Sequence, residues 1–161
     1  MIYNTMKIYI KNTNDNSIQI FTSESYESIS KNFRQPPYEK ATQQEADSFI
    51  LQEAKESKIT EIKANKDSFI YLPVDYNGST FKNTEISGKN LETAYNFIDE
   101  PIQWLDIQDN TIALTKLQVK DLITLMISHR STGYFLEASL INQVKACLTT
   151  AEVNNIDITF I

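Results

Sequence analysis

"DYNGSTFKNTEIS", Asp75 to Ser87, is the stretch on which the fold turns. The chain has 161 residues and only three glycines, and two of these, Gly78 and Gly88, lie in or beside it. Asn77-Gly78 is the strongest short signal for a β-hairpin, because a two-residue type I′ turn needs positive φ at both central positions. Strands are expected on either side, at about 69–76 and 79–82. Pro73 cannot donate a ladder hydrogen bond, so the first strand belongs at an edge or is bulged there. Ser87 reads as the N-cap of a helix over 88–99, with Leu91, Ala94, Tyr95 and Ile98 along one side.

Toward the N-terminus, "TQQE" sets Thr42 three residues before Glu45. This is a capping box, in which each side chain satisfies the other's backbone N–H, and it predicts a helix over 43–68. Ala46, Ile50, Ala54, Ile59, Ile62 and Phe69 recur at helical spacing, so the helix is amphipathic. Glu53, Lys55, Glu56, Lys58, Lys63 and Lys66 form the other face, read as solvated, with an oligomer interface as the alternative. Upstream, "MKIYI" and "SIQIF" alternate around "KNTNDN", which predicts hairpin strands near 6–11 and 17–21. Pro36-Pro37 forbids regular helix in the polar stretch that follows, so it reads as a loop leading into a short extended piece.

Toward the C-terminus, "IQWLDI" and "TIALT" flank a second hairpin turning at Asp109-Asn110. Thr115 and Gln118 repeat the capping-box spacing. A long helix follows through Val119, Leu122, Ile123, Met126 and Ile127, then Leu136, Leu140, Ile141 and Val144. As one rod it would measure about 50 Å at about 1.5 Å per residue, but Gly133 in "HRSTGYF" predicts a kink or short break and hence a helical hairpin. "TTAE", Thr149 to Glu152, opens a last short helix. The class is α+β: a short N-terminal β-hairpin unit with a Pro-containing loop (1–41), a connecting amphipathic helix (42–68), and two hairpins with a C-terminal helical region (69–161).

Hydrophobic residues make up 41% of the chain, enough to build a core. A net charge of −6, with no basic run longer than two residues, opposes generic binding to a nucleic-acid backbone. The longest strongly apolar stretch, Leu122 to Ile127, is far too short to span a bilayer. "MIYNTMKIYIKN" lacks the pattern of a secretory signal, and Met6, like Met1, is readable as a translation start. The single cysteine, Cys147, precludes an intrachain disulfide. A soluble protein made in a cytoplasm is expected, without nucleic-acid or membrane partners.

His129 is the only histidine. Zinc sites and Ser-His-Asp triads need it with defined partners, and the adjacent Arg130 disfavours a bound cation, so it reads as a surface or capping residue. Cys147, near a helix end, reads as a small core residue rather than a nucleophile. Asp99-Glu100 and the pair Asp106 and Asp109 have spacings that suit a hard cation or acid–base work, yet helix ends and turns favour Asp equally. There is no P-loop, dinucleotide fingerprint, HExxH or GxSxG. No catalytic, cofactor or metal residue is assigned, and no enzyme is expected. Trp104 reads as a core anchor, with a partner hot spot as the alternative.

The order and spacing of these pieces resemble a domain-of-unknown-function family of phage and prophage tail-gene clusters. There a charged helix precedes a Y-x-G-x-x-F hairpin, followed by a Trp, a D-N turn, a strand ending L-T and a terminal T-x-x-E-V-x-x-I. The matching residues are Tyr76, Gly78 and Phe81; Trp104, Asp109, Asn110, Leu114 and Thr115; and Thr149, Glu152, Val153 and Ile156. The resemblance covers about 58–157, and the front end is more loosely similar to tail-fibre assembly proteins. Asn, Ile and Lys replace the small, Ala-rich segments common in such proteins.

The resemblance implies a phage tail locus, beside a fibre or receptor-binding gene. In that context the expectation is a non-enzymatic protein that binds a tail-fibre or receptor-binding protein as an assembly chaperone or fibre cap, in the host cytoplasm. The alternative is a permanent component of the virion tail: a baseplate, fibre or decoration subunit. Self-association is compatible with both. An enzyme, such as a depolymerase or peptidoglycan hydrolase, would need converging carboxylates. A chaperone needs an exposed apolar patch. Tyr3, Tyr9 and Phe21 of the N-terminal hairpin, or Tyr134-Phe135 at the expected helix break, are the candidates.

Overall fold

The structure, a computed structural model, describes residues 6–23 and 25–161. It is α+β and divides into two compact units. The first holds the residues up to Ser57 together with Cys147–Asn155, and the second holds Lys58–Ala146 together with Ile156–Ile161.

In the first unit, β1 (Met6–Asn12), β2 (Ile18–Ser23) and β3 (Tyr38–Lys40) form an antiparallel sheet in the order β2-β1-β3. The β1–β2 turn carries Asn16 at φ 58°, and Asp15 Oδ1 accepts from Ser17 N at 2.9 Å. Ile8 and Ile10 of β1 are buried on one face with Ile29, against Phe21, Tyr26, Phe33 and Tyr38. Tyr9 points the other way, onto Ala41, Ala46 and Ile18, as strand alternation requires. The polar stretch after β2 contains two short 3-10 turns, Tyr26–Ser28 and Lys31–Phe33, and a cis Pro36-Pro37 peptide. Helix α1 (Gln43–Ile70) opens on the expected capping box: Thr42 N donates to Glu45 Oε2 at 2.8 Å and Glu45 N to Thr42 Oγ1 at 3.2 Å. It belongs to the first unit up to Ser57 and to the second from Lys58.

In the second unit, β4 (Val74–Tyr76) and β5 (Ser79–Phe81) are joined by the type I′ turn, with φ of 50° at Asn77 and 80° at Gly78. The strand is shorter than the expected 69–76. Phe69 and Ile70 are buried in the last turn of α1, and Pro73 lies just outside the ladder. Helix α2 (Glu85–Phe97) is capped by Thr84 rather than Ser87. Ser87 lies in its first turn and donates its backbone N–H to Thr84 Oγ1 at 3.1 Å. Leu91 and Ala94 are buried, whereas Ile98 lies beyond the helix and is exposed.

The hairpin β6 (Ile102–Leu105) and β7 (Thr111–Leu114) turns through Asp109 at φ 63°. Trp104 packs on the core and Leu105 faces outward. Helix α3 (Lys116–Ala146) starts on the second expected box, Thr115 N donating to Gln118 Oε1 at 2.9 Å. It is unbroken, contrary to the expected helical hairpin. Gly133 is buried, and a Cβ there would lie 2.5 Å from Ile70 Cγ2 and 3.0 Å from Phe69 Cδ1. The glycine lets the end of α1 approach the α3 backbone. Val74, Phe81, Leu91, Leu114, Val119, Leu122 and Met126 make the core. The short α4 (Thr150–Asn154), in the first unit, has the Thr149–Glu152 capping box and buries Val153. Among the described residues, no helix is long and apolar enough to cross a membrane.

Candidate functional site

The residues with the most chemistry gather where α1 ends, and there they serve the fold. A helix leaves its last carbonyls without intrahelical donors. His129 Nε2 lies 2.9 Å from the Phe69 carbonyl oxygen, and its ring stacks on Phe69 at 4.3 Å between centroids. The carbonyl can only accept, so Nε2 carries the proton. Buried Asn83 donates to the Ile70 carbonyl at 2.9 Å. Arg130 in turn donates from Nε to Asn83 Oδ1 at 3.1 Å and from Nη2 to the Thr84 carbonyl at 2.8 Å. His129 is thus a capping residue. Asn83 and Arg130, which complete the latch, carry no local sequence signal.

The carboxylates are not brought together. Asp99 pairs with Lys116 at 2.7 Å, and that hydrogen bond holds its carboxyl below the ordinary range. Buried Asp106 accepts from the backbone N–H of Gln108 (2.8 Å) and Asn110 (2.9 Å) and from the Asn110 side chain (2.9 Å). The side-chain bond from Asn110 leads in lowering its pKa. Asp106 therefore shapes its own loop. Glu100 and Asp109 are exposed, and Cys147 is half-buried just past α3. Among the described residues, no group of three or more His, Cys, Asp or Glu could hold a metal ion. A cavity of about 680 Å³ in the first unit includes Gln43, Leu51 and Leu148 in its lining, with Asp47 as its sole ionisable side chain.

The aromatic candidates part company. Tyr9 is buried, with its hydroxyl accepting from Gln43 at 3.2 Å, and Phe21 packs 5.2 Å from Phe33. Both belong to the core of the first unit, and Tyr3 lies outside the described residues. Tyr134 and Phe135 sit on a continuous helix and are 53% and 77% exposed. Ile127, two turns earlier on the side of Tyr134, is also exposed. Lys66 Nζ lies 4.9 Å from the Tyr134 ring centroid, and Lys66 also pairs with Asp67 and Glu137. Exposed Tyr71 donates to Glu85 at 3.1 Å and lies close enough to Tyr134 and Arg130 to feel both. Aromatic side chains held beside fixed charges form a surface suited to protein contact.

These features define an α+β protein that carries the exposed aromatic side chains Tyr134 and Phe135 on α3. Residues 53–159 match the family described as a domain of unknown function, DUF4376, and the chain belongs to that family. The matched range encloses residues 58–157, which carried the resemblance. No curated protein and no solved structure matches the chain.

Proposed function

We propose that this is a non-enzymatic interaction protein that uses the α3 face around Ile127, Tyr134 and Phe135 to hold a tail-fibre or receptor-binding protein. It acts as an assembly chaperone or fibre cap in the host cytoplasm. The observation that carries this reading is the exposure of Phe135, at 77%, beside Tyr134 on a helix whose opposite side is buried. Scattered apolar side chains are ordinary on a protein surface, but clustered ones suit an interaction site. Fibre chains are β-rich and non-local in their contacts, so they fold slowly and expose apolar surface on the way. The choice of a tail fibre as the partner comes from the family resemblance.

The test is co-expression with a phage tail-fibre protein, followed by capture on the tagged chain. The wild type retains the fibre and Phe135→Asp releases it, with thermal stability little changed because Phe135 is 77% exposed. Equal retention by a folded Phe135→Asp variant would remove this face from the proposal. The second reading, a permanent tail component, predicts stoichiometric presence in purified particles.

A further inference from the structure

The three-stranded sheet has two edges, and they are built differently. β3 is three residues long, follows Pro36-Pro37 and carries Glu39 and Lys40. Short length, proline and charge are the means by which proteins keep an edge from pairing. β2 has none of them. Its six residues, Ile18–Ser23, include no charge and no proline, and they pair one-to-one with β1 from Lys11↔Ile18 to Met6↔Ser23.

The phase of the ladder says which backbone groups face outward. Asn12 N donates to Ser17 O at 2.9 Å, so Ile10–Gln19 and Ile8–Phe21 are hydrogen-bonded pairs by antiparallel alternation. Tyr9 has the opposite phase, its carbonyl accepting from Ala41 N on the β3 side at 2.8 Å. The N–H and C=O groups of Ile18, Ile20 and Thr22 therefore point away from β1. Among the described residues, no backbone hydrogen bond from another segment reaches them. Ile20, at the middle of this edge, is 49% exposed, although Tyr9 directly across from it is buried.

We propose that β2 is the pairing edge of a symmetric dimer, in which β2 of a second copy adds antiparallel and the two sheets become one of six strands. Ile20 lies opposite Ile20, Ile18 opposite Thr22 and Gln19 opposite Phe21. The outward residues are symmetric about Ile20, so the same patch serves both copies and every outward N–H and C=O is paired. Two chains of net charge −6 repel each other, and β2 offers a strip where no like charges meet. A foreign strand would be chosen by charges or side-chain pockets along the edge, and β2 provides no charge for that purpose. The dimer is independent of the fibre-binding role.

Sedimentation velocity of the full chain, from low micromolar to near-millimolar concentration, tests this together with amide hydrogen exchange. A species of twice 18.5 kDa is expected, with the Ile18, Ile20 and Thr22 amides becoming protected as it forms. Ile20→Lys sets two ammonium groups face to face. Thr22→Pro deletes an outward donor that β1 does not use. Each should raise the dimer Kd about tenfold or more, with circular dichroism confirming the fold. The proposal is overturned by a monomer at every concentration, by a dimer whose Kd ignores both folded variants, or by edge amides that exchange freely in the dimer. Protection of those amides only by a foreign strand overturns it too. If a variant unfolds, wild-type exchange decides.

Discussion

Gly133 and Gly78 are needed for opposite reasons. At Gly133 the backbone is ordinary helix and the space is missing. Alanine there gains about 1 kcal/mol of helix propensity, but forcing a methyl group against Ile70 and Phe69 costs about 1–3 kcal/mol. Gly133→Ala should therefore destabilise by up to about 2 kcal/mol in urea unfolding, and in an Ile70→Ala background the further loss caused by Gly133→Ala should shrink. At Gly78 the space is open and the φ of 80° is the constraint. Gly78→Val should cost about 1–2 kcal/mol, and an unchanged melting temperature would contradict the turn. Asn77-Gly78 is legible because the turn lies within two residues. Gly133 is misread as a break because a glycine that admits a neighbour looks the same in sequence as one that ends a helix. Asp106 gives a prediction in pH. Its folded pKa is depressed, so its contribution is fully present above the unfolded value of about 3.9. It is lost as pH falls through the lower folded value. Acid titration followed by the Trp104 signal should show the hairpin loosening below pH of about 3.9, and Asp106→Asn should abolish that dependence.

Among the elements, helix starts are legible and helix ends are not. Thr42–Glu45, Thr115–Gln118 and Thr149–Glu152 are all contacts over three residues, and each opens a helix in the structure. Thr42→Ala should cost about 1 kcal/mol in thermal unfolding. The cap of α2 is displaced only from Ser87 to Thr84, since either hydroxyl suits the role and the one preceding the first turn takes it. The end of α1 has no local signal, because its donors come from Asn83 and His129. His129→Phe keeps a ring against Phe69 and removes the donor. Leu72 N still donates to the Phe69 carbonyl at 2.9 Å, so the loss should be about 1 kcal/mol, and amides near Phe69 should exchange faster.

At the scale of the whole molecule, alternation and spacing make the α+β class and the order of elements readable. The surface is less so, since which aromatics stay outside depends on contacts between distant segments. Tyr9 and Tyr134 are both Tyr in amphipathic stretches, yet one lies under α1 and the other faces outward. Peptide mass spectrometry of purified particles against lysate separates the two functional readings. A departing chaperone is expected to be abundant in lysate and missing from particles, and stoichiometric presence in particles would make it a structural subunit.

The latch at the end of α1 also bears on synthesis. His129 is translated 60 residues after Phe69. At about 5–20 residues per second, the ribosome leaves that carbonyl without its side-chain partner for roughly 3–12 seconds. The nascent chain therefore carries an unlatched helix end through more than a third of its own making, and a transcript truncated before codon 129 yields a product that can never close it.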